Sequence, residues 1–268
     1  MKFKTVIPLY LMLLSTLAWT GCTPSEKKES EPSGTKKQIY EWRIYTLTGD
    51  GTALDDFFKE TLIPAYNRCN IPVGAFAPYK QETGEKPAQE VKEQRYLLFV
   101  YPDLQTYNAV KQTVWKDSAF LTAAAPFFET TAPNPVYSEY EAFLCEAFDK
   151  IPEMRMPDKS RTLFEYRLYH SPNDEANLRK ISMFNAEEID LFDKVGVNSV
   201  CYGEILAGTH MPALIYLTWH KDMETRNKAW ETFGNHPDWQ RMKNDPKYKH
   251  TATNNQIQLL SPMPYSQF

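Results

Sequence analysis

A glutamate, an arginine and a tyrosine recur at alternate positions in two short segments of the chain. The six residues are Glu41, Arg43, Tyr45, Glu165, Arg167 and Tyr169. If each segment is a β-strand, the three side chains of a row share one face. Such a row could line a pocket in which the glutamate acts as a base, the arginine holds an anionic or carbonyl group, and the tyrosine donates a hydrogen bond.

The same rows also have a structural interpretation. Partly buried charges need partners, so each glutamate could pair with its arginine and fix the register of the strands. A scaffold feature has to appear in both halves of a duplicated protein, whereas an active site needs only one copy. The repetition therefore favours a polar network between the two sheets, and a pocket is the alternative.

The residues between these polar positions are apolar or aromatic. They are Tyr40, Trp42, Ile44, Phe164, Tyr166 and Leu168. Because side chains alternate along a strand, we expect this apolar row to lie under helices. The polar row would then face the other half of the molecule or a cavity.

Both rows belong to a long internal repeat. Residues 40–45 return as residues 164–169 at an offset of 124, and residues 100–104 match residues 219–223 at an offset of 119. Repetition on this scale indicates two related units on one chain. The shorter second offset places a net deletion in the middle loops of the second unit.

Each unit follows the order strand, helix, strand, strand, helix, strand, as judged from apolar periodicity. This is the order of the ferredoxin-like βαββαβ unit, and we place the units at residues 38–150 and 161–268 with a linker at 151–160. Helices cover one face of each sheet, and the other face must pack against something else. We predict an α+β fold of two tandem ferredoxin-like units, packed sheet to sheet as one closed, barrel-like layer.

The two repeated openings resemble those of NIPSNAP domains. So does a stretch of the second unit that contains Trp219, Trp230, Phe233, His236, Pro237 and Trp239. The resemblance covers about residues 38–268 and is closer in the second unit, since Lys111 stands opposite Trp230 in the first. It implies an intramolecular dimeric α/β barrel. It implies no agreed reaction, so no catalytic residue is carried over.

The N-terminus has the pattern of an export signal. Two lysines precede a mostly apolar run at residues 6–19, which is short for a membrane span and suits a signal sequence. The run ends near Cys22 and resembles a bacterial lipoprotein signal, in which Cys22 carries the lipid. We predict a signal peptide at residues 1–22, a flexible tether at 23–37, and a lipid-anchored protein of the cell envelope that faces the periplasm or the cell surface. A plain secreted protein and an uncleaved membrane anchor are the alternatives.

Composition and motifs exclude several functional classes. The net charge is −4, and no basic stripe of the kind that binds nucleic acid is present. The chain has no closely spaced cysteine or histidine pair, no glycine-rich phosphate loop and no nucleophile elbow. We therefore predict no metal site and no cofactor, although haem ligation by one histidine stays open. Cys69, Cys145 and Cys201 are expected to be small buried residues, with one disulfide among them as the alternative.

Three functions are consistent with this pattern. The first is binding of a small molecule or a partner, and the second is a cofactor-independent oxygenase or isomerase of the barrel type. The third is a structural module that assembles further, for instance as a homo-oligomer. A cavity of roughly 300 Å³ or more beside Arg43 or Arg167 would favour binding or catalysis, and a solid interior would favour assembly.

Overall fold

The computed structural model describes residues 36–80 and 93–268. The predicted signal peptide, with Cys22, and residues 23–35 of the predicted tether lie outside the described residues. The last two tether residues contact the folded part of the chain. Lys36 lies 2.6 Å from a carboxylate oxygen of Asp103 and Lys37 lies 2.7 Å from one of Asp149.

Eight antiparallel strands close into one barrel. They are β1 (Ile39–Leu47), β2 (Val73–Pro78), β3 (Gln94–Tyr101), β4 (Tyr137–Ala147), β5 (Leu163–His170), β6 (Asn198–Ala207), β7 (Ala213–His220) and β8 (Asn254–Pro262). Their order around the barrel is β1-β3-β2-β8-β5-β7-β6-β4. The β2–β8 and β4–β6 pairs join the two units, so the predicted fold of two ferredoxin-like units in one barrel is confirmed.

The helices lie outside the barrel. They are α1 (Thr52–Phe57), α2 (Ile63–Asn67), α3 (Leu104–Val114) and α4 (Ser118–Thr131) in the first unit, and α5 (Asp174–Met183), α6 (Ile189–Val195), α7 (Met223–Asn235) and α8 (Pro237–Asn244) in the second. Asp103 and Asp222 occupy equivalent N-cap positions and accept hydrogen bonds from the backbone of α3 and α7. In the described ranges, no helix is long and apolar enough to cross a bilayer.

Each unit also contains a π-helical turn. It joins α1 to α2 at Phe58–Leu62 and α5 to α6 at Phe184–Glu188. The two turns are equivalent, at an offset of 126 residues from Phe58 to Phe184. A π-helical turn rotates the residues that follow it relative to a regular α-helix, and such turns often occur at functional sites.

The apolar row lines the interior of the barrel. Trp42 and Tyr166 meet there across the two sheets with ring centroids 5.1 Å apart, within one cluster that also contains the other four residues of the row. Phe268 packs into the same interior, where a Cβ atom on Gly74 would lie 2.3 Å from its ring. The interior is thus filled mainly by large apolar side chains.

The predicted orientation of the two rows was therefore wrong. The polar row does not lie between the sheets, because it faces the helices on the outside of the barrel: Arg43 donates to Tyr66 of α2, and Arg226 of α7 donates to Glu165. The barrel interior is largely closed by apolar side chains from both sheets and offers few partners to a charge. The helical layer supplies hydroxyl, indole and guanidinium groups, which reduce the cost of burying these charges.

Candidate functional site

The carboxylate of Glu165 is the centre of a buried network in the second unit. It accepts a hydrogen bond from Nε of Arg167 at 2.7 Å, and from Nε and Nη2 of Arg226 at 2.8 and 3.0 Å. The indole nitrogen of Trp230 donates to it at 2.8 Å. Glu165 is fully buried, so two cations and an indole replace the water that its charge would otherwise need.

Arg167 connects this network to two tyrosines. Its Nη1 donates to the hydroxyl of Tyr169 at 2.8 Å, and that hydroxyl lies 2.8 Å from the hydroxyl of Tyr216 on β7. The ring of Trp230 covers the guanidinium, with its centroid 3.8 Å from Cζ. The arginine is therefore fixed by a carboxylate, a hydroxyl and an aromatic face, which is a preorganised arrangement.

A second buried ion pair spans the π-helical turn. Nζ of Lys180 on α5 donates to Glu188 at 2.8 Å, and both side chains are less than a tenth exposed. Nζ of Lys180 also lies 5.8 Å from the ring of Trp239 on α8. The turn allows two residues eight positions apart to meet at one wall of the helical layer.

These two clusters border a cavity of about 430 Å³ between the outer face of the sheet and the helices. Its inner wall consists of Arg167, Tyr169, Lys180, Glu188, Tyr216 and Trp230. Other lining residues are Phe233, Trp239, Tyr248 and the exposed Lys243, Lys249 and His250 on the rim. We call this space the outer cavity; it has aromatic walls, a buried cationic floor and a cationic rim.

The environment of the inner wall perturbs its ionisable groups. Burial alone would raise the pKa of Glu165, but Arg226 and Arg167 outweigh that effect and lower it. Burial raises the pKa of Tyr216 well above its ordinary value even though Arg167 opposes the change. For Arg167, the neighbouring tyrosines and Glu165 outweigh burial and raise the pKa. At neutral pH the guanidinium of Arg167 and the carboxylate of Glu165 behind the wall are therefore charged, and the phenol of Tyr216 on the wall is un-ionised.

His220 lies behind this wall at the end of β7. Burial lowers its pKa to about 4, and its Nε2 lies 3.9 Å from Glu165. Within the described residues, neither ring nitrogen of His220 has a hydrogen-bond partner, and the hydroxyl of Thr218 has none either. The equivalent of His220 in the first unit is Tyr101, whose hydroxyl donates to Glu41 at 2.7 Å. The shorter imidazole does not make the contact that the tyrosine makes.

The first unit has the same scaffold but a much smaller space. Glu41 accepts from Nε of Arg43 at 2.9 Å, and Arg43 donates to Tyr66 at 2.9 Å. The cavity beside Arg43 and Tyr45 measures about 140 Å³, because aromatic side chains occupy the layer. Its walls include Phe57, Phe58, Trp115, Phe120, Phe127, Phe128, Tyr137 and Tyr140.

The charged pair of the second unit is apolar in the first. At the offset of 126 residues that relates the two π-helical turns, Lys180 and Glu188 correspond to Leu54 and Leu62. Both leucines are buried and line the smaller cavity. The two units therefore share the Glu–Arg pair and differ in the polarity of the wall opposite to it.

The structure brings five of the six predicted residues into polar networks. Glu165, Arg167 and Tyr169 form one, Glu41 and Arg43 form another, while Tyr45 stacks on aromatic rings. Five contributing residues of the second unit were not among the predicted site residues, namely Lys180, Glu188, Tyr216, Arg226 and Trp230. Comparing the two repeats position by position could have revealed the first two, because charges replace leucines there.

Histidines and cysteines offer little for a haem or a metal. Among the described residues that line the outer cavity, the single histidine is His250, and it is exposed on the rim. The polar groups of the inner wall are already paired with each other, which does not fit axial ligation of a haem. The described residues contain no cluster of three potential metal ligands. Cys145 and Cys201 are buried in the barrel, Cys69 is half-buried, and all three are free thiols.

Comparison with known proteins supports the same fold. The NIPSNAP family model matches residues 164–267, which confirms the resemblance for the second unit. No curated protein matches the chain. A Fusobacterium nucleatum protein provisionally assigned as a monooxygenase is 9% identical, with a TM-score of 0.51 over 84% of this chain and 92% of its own. At that identity the similarity shows a shared fold alone.

Two further solved structures are similar, one over a smaller part of the chain and the other at a lower sequence identity. An uncharacterised NIPSNAP-like domain protein from Burkholderia xenovorans is 20% identical and covers 40% of this chain and 90% of its own, with a TM-score of 0.37. A chlorite dismutase from Candidatus Nitrospira defluvii is 6% identical and covers 86% of this chain and 93% of its own, with a TM-score of 0.44.

Proposed function

We propose that this chain, whose residues 164–267 match the NIPSNAP family model, binds a small aromatic anion in the outer cavity of its second unit. The observation that carries the proposal is the cavity of about 430 Å³ beside Arg167. Its volume lies in the range of small-molecule sites. The corresponding space in the first unit, about 140 Å³, is too small for such a ligand.

The charges of the outer cavity favour an anion. Arg167, Lys180, Lys243 and Lys249 line it, and the carboxylate of Glu188 is their counterpart on the wall. The two rim lysines are exposed and would attract a negative ligand before it enters. Cations that converge on a partly enclosed site raise the local concentration of anions, and they fix a carboxylate or phenolate by charge-assisted hydrogen bonds.

The walls favour an aromatic ring. Trp230, Phe233 and Trp239 form one side of the outer cavity. Tyr216 contributes from β7, and Tyr248 contributes from the 3-10 turn Pro246–Tyr248. Offset or edge-to-face contacts with such rings stabilise a planar ligand beyond simple burial of its surface. A flat ring with one anionic substituent satisfies both the walls and the cations.

The experiment is a calorimetric titration of the full chain with benzoate, salicylate and indole-3-acetate, with haem as a further probe. We expect the aromatic anions to bind, and to bind more weakly in the Lys243→Gln/Lys249→Gln variant because the rim loses two charges. Lys59→Gln, an exposed lysine of the first unit, is the matched control. Equal affinity in all three proteins, or no binding of any aromatic anion, would contradict the proposal.

Turnover of the bound ligand without a cofactor is a second candidate, favoured by the coupled hydroxyls of Tyr169 and Tyr216 beside Arg167. A phenol fixed beside a cation can donate a hydrogen bond to a developing oxyanion. Mass spectrometry of the aromatic anion after incubation in air with the protein tests this candidate. A product that Tyr216→Phe abolishes while binding persists supports it, and an unchanged ligand argues against it.

Attachment to a membrane through a lipid on Cys22 is the remaining part of the proposal. It is supported by the N-terminal pattern, with a tether long enough to hold the folded part of the chain about 20 Å from the lipid. The Cys22→Ser variant should move from the membrane fraction to the soluble fraction of the cell envelope, where the small-molecule site would meet periplasmic or external ligands. Unchanged membrane retention would contradict lipid attachment and leave the outer cavity unaffected.

A further inference from the structure

One end of the barrel interior is lined by polar side chains, in contrast to the rest of it. Gln256 and Gln258 of β8 lie opposite Leu168 and Tyr166 of β5. Residues directly opposite each other in an antiparallel pair share a face of the sheet, and Leu168 and Tyr166 belong to the interior cluster. The amides of β8 therefore face the inside of the barrel.

A cavity of about 600 Å³ occupies this end. It is lined by Ile44, Gln94, Tyr96, Glu141, Tyr166 and residues 254–258. We call it the barrel-end cavity. Strands of both units contribute to it, and its glutamines lie on the opposite face of the sheet from Arg167. It is thus a separate space from the outer cavity, and Asn255 of β8 lines both.

The hydroxyl of Tyr166 is an unused hydrogen-bonding group at this site. Tyr166 is 3% exposed, and no residue in the described parts of the chain forms a hydrogen bond with its hydroxyl. Its ring packs edge-on against Trp42, so the side chain is held in place. Burying an unpaired hydroxyl costs free energy, and a ligand hydroxyl in the cavity would remove that cost.

The remaining polar groups of the barrel-end cavity are mostly neutral. The hydroxyl of Tyr96 donates to Gln94 at 3.0 Å, and the amide of Gln256 lies 3.4 Å from Nε2 of His170. Glu141 is the charged residue of the lining, and it already accepts a hydrogen bond from Thr209 at 3.0 Å. Among the described residues that line this cavity there is no lysine or arginine, so these residues offer no cation to an anionic ligand.

We infer that the barrel-end cavity binds a neutral, hydroxyl-rich ring, and that the ligand is a sugar. Each glutamine amide both donates and accepts hydrogen bonds, which matches adjacent hydroxyls that do the same. The rings of Tyr96 and Tyr166 provide apolar surface for the C–H face of a sugar ring. One carboxylate among amides and phenols strengthens a hydrogen bond from a ligand hydroxyl.

The test is saturation-transfer NMR on the full chain with glucose, N-acetylglucosamine and trehalose as probes. We expect magnetisation transfer to at least one sugar and an affinity about fivefold lower in Tyr166→Phe, which loses one hydrogen bond. The Gln256→Leu/Gln258→Leu variant should lose the transfer. Gln105→Leu, an exposed glutamine on α3, is the matched control and should retain it.

Tyr166→Phe removes only a hydroxyl that has no partner within the described residues, so it should fold with at least the thermal stability of the wild type. A loss of sugar binding in this variant would then not be due to misfolding. Absence of transfer to all three sugars in the wild type would overturn the inference. So would transfer that persists unchanged in Tyr166→Phe and in the double variant. Benzoate added to the same samples reports on the outer cavity, and its binding should not respond to either change.

Discussion

The fully buried Glu165 is the anionic centre of the hydrogen-bond network in the second unit. Two arginines and an indole converge on its carboxylate, whereas Glu41 in the first unit has one arginine, a tyrosine and a lysine 3.9 Å away. Removing one partner of a buried ion pair leaves the other partner charged and without compensation. The two glutamates occupy equivalent positions in the repeat, but Glu165 compensates the charge of two arginines and Glu41 that of one.

Glu165→Gln should lower the free energy of unfolding by ~3 kcal/mol, because it leaves Arg167 and Arg226 with an uncharged partner. Urea denaturation monitored by tryptophan fluorescence measures this loss. Glu41→Gln is the matched variant and should cost less, since a single arginine is its close cationic partner. If Glu165→Gln keeps its stability and only loses binding of the aromatic anion, the pair serves the ligand and is not a structural element.

His220 makes stability depend on pH. Its pKa is about 4 in the native protein, against an ordinary value of 6.5. As the pH falls below 6.5, the unfolded chain takes up a proton that the native chain refuses, so stability declines until about pH 4 and then this contribution levels off. Above pH 6.5 both states are neutral at this residue, and the full contribution is present.

The melting temperature of His220→Gln should therefore fall less between pH 7 and pH 4.5 than that of the wild type. Differential scanning fluorimetry over this range provides the measurement. His250→Gln, at an exposed histidine on the rim of the outer cavity, is the control and should follow the wild-type curve. Parallel curves for the wild type and His220→Gln would show that the buried imidazole is not the titrating group.

The two units share a π-helical turn and differ in the pair of residues that this turn brings together. The turn in the second unit places Lys180 and Glu188 together, while the first unit has Leu54 and Leu62 at the equivalent positions. The leucine pair demonstrates that an apolar version of this wall packs within the same scaffold. A buried ion pair often contributes little net stability relative to apolar residues of similar size.

We expect the Lys180→Leu/Glu188→Leu variant to be as stable as the wild type or more stable by ~1–4 kcal/mol. Lys180→Leu alone should be strongly destabilised, by roughly 3–5 kcal/mol, because Glu188 then stays buried without a partner. Equilibrium urea denaturation of the three proteins gives the comparison. A double variant as unstable as the single one would show that the leucine arrangement does not transfer between units.

The order of the strands and of the main helices between them could be predicted from the sequence because alternation and helical spacing are local properties. The additional helix α4 of the first unit is not part of the predicted order. The orientation of the first strand of each unit could not be predicted in this way. Trp42 alternates with Glu41 and Arg43 in the same way whichever face they take, and both faces of this strand are buried. The choice depends on distant partners, such as Arg226 and Trp230, which local periodicity does not reveal.

The site was predicted only where it repeats. Glu165 and Arg167 stand out because Glu41 and Arg43 precede them at the same spacing. Lys180 lies on a regular α-helix, and Glu188 meets it only because a π-helical turn lies between them. An inserted turn of this kind has no strong sequence signal. The residues that make the second cavity different were for this reason the hardest to identify.

At the scale of the whole molecule, the barrel has two seams between its units. The β2–β8 and β4–β6 ladders run across them, and the interior cluster takes side chains from all eight strands. A unit that unfolded alone would break both seams and expose the apolar face of its neighbour. The two units should therefore lose their structure together.

Scanning calorimetry should accordingly show one unfolding transition, with calorimetric and van't Hoff enthalpies that agree. Glu165→Gln in the second unit should shift this single transition without splitting it. Two separate transitions, or a first unit that melts at the wild-type temperature in that variant, would show that the units are independent domains.

Joining the two ferredoxin-like units on one chain also has a consequence for stoichiometry. A barrel assembled from two identical subunits would carry the same pocket twice, and every substitution would alter both copies. Here each half can change by itself, so one can retain bulky aromatic filling while the other keeps an accessible, charged space. We therefore anticipate a single molecule of aromatic anion per polypeptide at saturation, despite the duplicated architecture.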